Sequence, residues 1–282
     1  MIFSKIQNNF IVSLLSFSLY ASAMATVNVG ILLGFTGPIE RLTPDMAKGA
    51  ELAIKEANDS GYFFDNIEAI RKDSTCVDSW KAVSAADVLR RSNVKNIVGA
   101  DCSGVTRAVY QNVIYPNKMI MISPSATLPE FSQTKYKDLF RTAVSDAKLG
   151  AILAEITKKQ GIKSVVISYV NNSYGLGMQK AYITSAKNLG IKVSSFPHEQ
   201  GQPNYLAHLL QVTNEGAEAL IIIGSQDGVG KNILLKSLSV NAFDHYFLSD
   251  GLRSLSLAAA VKKYQKGETI TVVSRPVDST LD

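Results

Sequence analysis

Apolar positions along the chain alternate between short continuous runs and helical stripes. Ile97-Val98-Gly99-Ala100 and Met119-Ile120-Met121-Ile122 are two such runs, each of a length that suits a buried parallel strand. Between them, Val105, Ala108, Val109 and Val113 share one face of a helix spanning Val105 to Ile114. The same rhythm runs upstream. Val27 to Leu33 reads as a strand, Pro44 to Asn58 as an amphipathic helix with Thr43 as its N-cap, Ile67 to Arg71 as a strand and Ser79 to Arg91 as a helix. Strict β-α-β alternation of this kind predicts a doubly wound sheet.

After a loop rich in Ser, Thr and Lys, Phe140-Arg141-Thr142 forms a short extended piece and the pattern restarts. Helices are predicted at Asp146–Gln160, Gly175–Leu189, Asn204–Asn214, Gly228–Val240 and Leu255–Lys263. They alternate with strands at Ser164–Val170, Lys192–Phe196, Ala219–Ile223, Tyr246–Leu248 and Thr269–Val273. The expected fold is α/β, with two doubly wound, Rossmann-like lobes of parallel sheet at 26–143 and 144–274. Two similar lobes leave a cleft, and hinge closure on a ligand is the natural use of that shape.

The first 25 residues stand outside this pattern. A sparse positive start at Lys5, an apolar stretch from Phe10 to Tyr20 and the small residues Ala21-Ser22-Ala23-Met24-Ala25 predict a cleavable export signal peptide. Cleavage falls after Ala25, with Ala23 as the alternative. The chain is therefore expected to be exported. No later stretch reaches the length of a membrane span.

Export changes the reading of the cysteines. Cys76 and Cys102 are the chain's two, and an exported chain with an even count is expected to pair them. Two buried free thiols are the alternative. A bond would close a loop of roughly 26 residues and contribute about 3–4 kcal/mol. Charge adds little. The formal net charge is +5, and the basic residues (Lys48, Lys55, Arg71, Arg90) are scattered rather than interleaved with aromatics, which argues against a nucleic-acid partner.

Candidate chemistry gathers behind the two central strands. Asp101-Cys102-Ser103-Gly104 and Ser123-Pro124-Ser125-Ala126-Thr127 are small polar loops at their carboxyl ends, where open α/β sheets hold ligands. The first loop also opens a helix, whose free N–H groups favour an anion. Ser103, Ser125 and Thr127 would offer hydroxyls and backbone groups to a small anionic or zwitterionic ligand; ordinary helix caps and turns are the other reading.

Catalytic motifs fail on inspection. Ser132-Gln-Thr-Lys135 and Ser145-Asp-Ala-Lys148 match S-x-x-K, but its companion motifs are absent, as is a G-x-S-x-G elbow. Gly175-Leu-Gly177 lacks the third glycine of a dinucleotide fingerprint, Lys180 standing there. Gly228-Val-Gly230-Lys231-Asn232 misses a phosphate loop twice. Asn171-Asn-Ser173 is a formal glycosylation triplet. His198, His208 and His245 are dispersed in sequence, so no metal site is expected. No cofactor and no enzyme activity are expected.

Several stretches together resemble the periplasmic branched-chain amino-acid-binding proteins. They are Gly34-Phe-Thr-Gly-Pro38, Met46-Ala-Lys-Gly-Ala-Glu-Leu-Ala-Ile54, Asp73-Ser-Thr-Cys76, Val98-Gly-Ala-Asp-Cys102-Ser103, Ile122-Ser-Pro-Ser-Ala-Thr-Leu-Pro-Glu130, Phe140-Arg-Thr142, Ser173-Tyr-Gly-Leu-Gly177 and Asp250-Gly251. The resemblance runs from about Val27 to Pro276 and implies the type I periplasmic-binding fold and, for an exported chain, the periplasm as its location. It implies a monomeric receptor that closes on a small aliphatic amino acid and serves an ABC importer through its membrane permease. A sensory or regulatory domain of the same fold, not coupled to transport, is the alternative use, and an exported hydrolase a third.

Carried over by position, Ser103 and Thr127 would meet the ligand's carboxylate and ammonium, and Ser125 would offer chiefly its carbonyl. Tyr174 would close from the second lobe, and Asp250 would pair with the ammonium. Leu42 stands where relatives often carry an aromatic, and Ser225-Gln226-Asp227 replaces a Gly-Tyr-type segment. The resemblance also implies that 275–282 begins a return crossover to the first lobe, and that the family adds further helices and strands beyond Asp282. An unfinished first lobe would expose apolar faces and impair solubility or binding.

Overall fold

All ten strands in the described residues, 26–199, 206–226 and 228–274 of a computed structural model, run parallel in two five-stranded sheets. The predicted export leader, Asp227 and residues 275–282 lie outside them. In chain order the first lobe contains β1 (Thr26–Leu33), α1 (Thr43–Asp59), β2 (Asn66–Asp73), α2 (Ser79–Arg91) and β3 (Asn96–Gly99). It continues through α3 (Ser103–Val109), which passes into a π-turn at Tyr110–Ile114, then β4 (Ile120–Ser123) and β5 (Leu139–Arg141). The sheet order is β2-β1-β3-β4-β5. The second lobe contains α4 (Asp146–Lys159), β6 (Ser164–Val170), α5 (Ser173–Asn188), β7 (Lys192–His198) and α6 (Leu206–Thr213). It ends with β8 (Ala219–Ile223), α7 (Val229–Ser239), β9 (His245–Leu248), α8 (Leu255–Val261) and β10 (Thr269–Val272), in the order β10-β9-β8-β6-β7.

Local chemistry explains most of the boundaries. Asp78 opens α2 by accepting the N–H groups of Trp80 and Lys81, both at 3.1 Å, and Asn172 opens α5 by accepting that of Gly175 at 3.0 Å. Thr43 departs from its expected role. It is the first residue of α1 rather than its cap, and its buried Oγ1 donates to the Gly34 carbonyl at 2.8 Å. The turn after β1 folds back over it, so the hydroxyl fastens that turn instead of the helix end. The helix expected over Val105–Ile114 begins two residues earlier and ends in the π-turn, where Tyr115 donates to the Tyr110 carbonyl at 2.9 Å. The Tyr110 ring is buried there against Tyr136, and its hydroxyl donates to the Lys135 carbonyl at 3.0 Å.

The glycines that suggested a dinucleotide fingerprint serve packing. A Cβ on Gly175 would stand 1.9 Å from the Val170 carbonyl, so α5 can start this close to the end of β6 only with glycine there. The S-x-x-K serines are likewise engaged: Ser145 caps α4, and Ser132 accepts from Arg141.

Cys76 and Cys102 form the expected disulfide, with Cα atoms 5.1 Å apart. It ties the loop after β2 to the start of α3. Trp80 is on the surface. No helix among the described residues is long and apolar enough to cross a membrane.

Candidate functional site

Parallel sheets bring the loops behind β1, β3 and β4 to one edge of the first lobe, and those behind β6, β8 and β9 to one edge of the second. In the first lobe the organising group is Asp101, which the sequence reading left without a role. Its buried carboxylate accepts from the Gly34 N–H, from Ser74 Oγ at 2.9 Å and from the Cys102 N–H at 2.8 Å. Burial pushes this carboxyl above its ordinary pKa, against the pull of those donors. It therefore knits three loops together rather than facing a ligand.

Ser125 Oγ donates to the Asp101 carbonyl at 3.1 Å, so its hydroxyl braces the two central loops. Ser103 is buried at the first position of α3. Thr127 is buried, and its Oγ1 shares a 2.9 Å hydrogen bond with Asp146 Oδ2 at the start of α4. That bond crosses from first lobe to second, as does the 2.9 Å bond from the Asp146 N–H to the Thr127 carbonyl.

Asp146 was not among the expected site residues; in sequence it is one more acid in the first turn of a helix. The structure buries it completely and leaves Oδ1 without a hydrogen-bond partner. Burial raises its pKa to about 7; the Thr127 hydrogen bond opposes this, the Asp250 charge adds to it, and Arg141 pulls it back.

In the second lobe, Tyr174 OH donates to Asp250 Oδ1 at 2.8 Å, bringing together two residues 76 positions apart. Burial, then the charges of Asp250 and Asp146, hold the phenol well above its usual pKa, so Tyr174 stays a donor. Gly251 permits this arrangement: a Cβ there would lie 2.3 Å from the Gly224 carbonyl. All five expected residues thus lie on loops or helix starts at the carboxyl edges. Thr127 bonds to Asp146, whose pKa the Asp250 charge raises, and Tyr174 pairs with Asp250; Ser125 braces the two central loops, and Ser103 lies one residue from Gly104, where α3 approaches Ser173 of α5. Leu42 is exposed at the start of α1.

A profile of the periplasmic binding protein family matches residues 26–233. The chain belongs to the periplasmic binding protein family. Among relatives of this family, the leucine-, isoleucine-, valine-, threonine- and alanine-binding protein of Pseudomonas aeruginosa is 26% identical over 261 residues, 91% of this chain and 69% of its own. Leu/Ile/Val-binding protein homolog 1 of Brucella abortus is 28% identical over 242 residues, 84% of this chain and 64% of its own. The family fold is also that of a leucine-binding protein from Thermotoga maritima, with a TM-score of 0.72 and 22% identity, covering 83% of this chain and 66% of that one. A solute-binding protein of Rhodopseudomonas palustris in complex with p-hydroxybenzoic acid has a TM-score of 0.73 and 15% identity, covering 83% and 66%. The chain thus spans about two thirds of the length of these relatives.

One grouping departs from the sequence reading. His198 and His208, dispersed along the chain, meet on Ser168, whose Oγ lies 2.9 Å from His198 Nδ1 and 2.8 Å from His208 Nε2. All three are buried. One hydroxyl donates a single proton, so one imidazole accepts from Ser168 and the other donates to it. Burial lowers the His198 pKa to about 4, with the neighbouring His208 adding to the fall, and burial lowers His208 as well. Among the described residues no group of His, Cys, Asp and Glu has the arrangement of a metal site.

Proposed function

We propose that this chain is an exported receptor that captures a small aliphatic amino acid, branched-chain or similar, between its lobes. It would deliver that ligand to the permease of an ABC importer. The observation that carries the reading is the buried Asp146, one carboxylate oxygen of which lacks a partner, with the charge of Asp250 raising its pKa. Two carboxylates disfavour a simple monoanion such as a benzoate and favour a ligand that brings its own ammonium. Thr127 Oγ1, its proton given to ionised Asp146, keeps lone pairs that accept from the same ammonium. The N–H groups at the start of α3 and the Ser103 hydroxyl would take the ligand carboxylate. Ser125 would add its carbonyl on the ammonium side, and Tyr174 would close over the ligand while orienting Asp250. The relatives named for leucine, isoleucine and valine support this ligand class.

The test is differential scanning fluorimetry against an amino-acid panel, followed by calorimetry on the best ligand. Asp250→Ala should weaken binding by about 2–5 kcal/mol, the usual cost of stranding one buried charge partner; unchanged affinity removes Asp250 from the site. In the empty cleft Asp146 holds a proton below pH 7, while an ammonium requires the carboxylate. Affinity should therefore fall by up to about tenfold per pH unit as pH drops below 7, with proton release on binding.

A further inference from the structure

Near their N-termini, α3 of the first lobe and α5 of the second come together across the cleft. A Cβ on Gly104 would lie 3.5 Å from Ser173 Oγ. One turn further along α3, Arg107 Nη2 donates to Ser173 Oγ at 2.9 Å. Arg107 Nη1 also lies 3.5 Å from Glu130 Oε1 of its own lobe. Glu130 is fixed there in turn: Tyr136 OH donates to Oε1 at 2.9 Å, and Lys135 Nζ is 3.9 Å from Oε2. Ser173 immediately precedes Tyr174, and Arg107 lies one turn after Ser103.

We infer that Arg107 is a positioning residue that latches the closed form, holding the Ser103 end of α3 against the Tyr174 end of α5. The inference rests on the reading of the cleft as one that closes on an amino acid. The chemistry suits a latch that must open on every cycle. The Arg107–Glu130 charge pair lies within one lobe and survives opening, while a guanidinium–hydroxyl bond crosses. An ion pair across the cleft would have to be separated at each release; a hydroxyl and an already half-exposed guanidinium rehydrate at little cost. The latch therefore acts mainly on how long a ligand stays.

Two variants test it. Arg107→Met keeps the packing of the side-chain stem and removes the donor; Ser173→Ala removes the acceptor. Hydrogen exchange of the ligand-free protein and stopped-flow dissociation of L-leucine are the readouts. Each variant should speed exchange at 103–109 and 173–177 and raise leucine dissociation about three- to tenfold, with association unchanged. The double variant should be no worse than Arg107→Met alone. Unchanged exchange and dissociation in both variants overturns the latch, as does faster exchange throughout the first lobe with a lowered melting temperature, which marks a structural role. If the wild type binds neither leucine nor any other amino acid, the proposed function fails, and the exchange measurement judges the latch by itself.

Discussion

One row of side chains crosses each sheet, and the two rows meet different fates. In the second lobe the parallel register lines up Ile167, Ile221 and Phe247, all fully buried. In the first it lines up Ile31, Val98, Ile122 and Phe140. Burial decays along that row: Ile31 is fully enclosed, Val98 partly, Ile122 is 42% exposed and Phe140 54%. The second sheet has α4 and α5 packed on one face and α6, α7 and α8 on the other. The first has α2 and α3 on one face, while α1 alone shields β1 on the other, where Ile31, Leu33 and Ala47 form the buried cluster. Beyond α1 lies an apolar groove of about 460 Å³, lined by Met46, Ala53, Val98, Ile122 and Pro124 among others. A strand's own apolarity thus invites burial, but the helices laid across it decide whether burial happens.

The largest test of that difference is Phe247→Ala, which should cost about 3–5 kcal/mol in denaturant unfolding, because the site is enclosed on all sides. A cost below about 1 kcal/mol would mean that the second lobe is not tightly packed. Next comes the disulfide. Replacing Cys76 and Cys102 together by Ser should lower first-lobe stability by about 3–4 kcal/mol and leave the second lobe's transition in place. A single shared shift of both transitions would show that the lobes unfold as one.

An acid limb belongs to the second lobe. His198 titrates near 4 in the folded chain, below its ordinary 6.5, so its neutral form stabilises the fold above pH 6.5 and that contribution is lost as pH falls through 4. The loss should reach about 3 kcal/mol for this residue, and His198→Asn should narrow the gap between melting temperatures at pH 7 and pH 5. An unaltered gap would assign the acid limb to other groups. The smallest effect is expected at Phe140→Ser, within about 0.5 kcal/mol of wild type, with reduced self-association by light scattering. A cost above about 1 kcal/mol would show that the exposed row is covered in solution.

Much of the fold was legible in the sequence. The α2, β6 and β8 segments match their predicted spans residue for residue, since a helical stripe or a short apolar run is a local property of the chain. Thr43 was misjudged because a capping preference does not reveal that Gly34 returns to take its hydroxyl. Within the site, Ser103, Ser125 and Thr127 stood out because loops at the carboxyl ends of strands are visible as polar breaks. Tyr174 and Asp250 came from family resemblance, and their 2.8 Å contact joins loops of two different strands.

What the sequence by itself determined is therefore the order and type of the elements, the two-lobe plan and the loops that could bear a ligand. Only the tertiary structure decided that Asp101 knits loops while Asp146 is buried with one oxygen left unpartnered, although both are aspartates beside a helix start. It likewise joined His198 and His208 on Ser168 and left Phe140 bare. The reason is common to all three. Desolvation, and with it pKa, pairing and burial energy, depends on which distant segments exclude water from a side chain, and no local pattern records that.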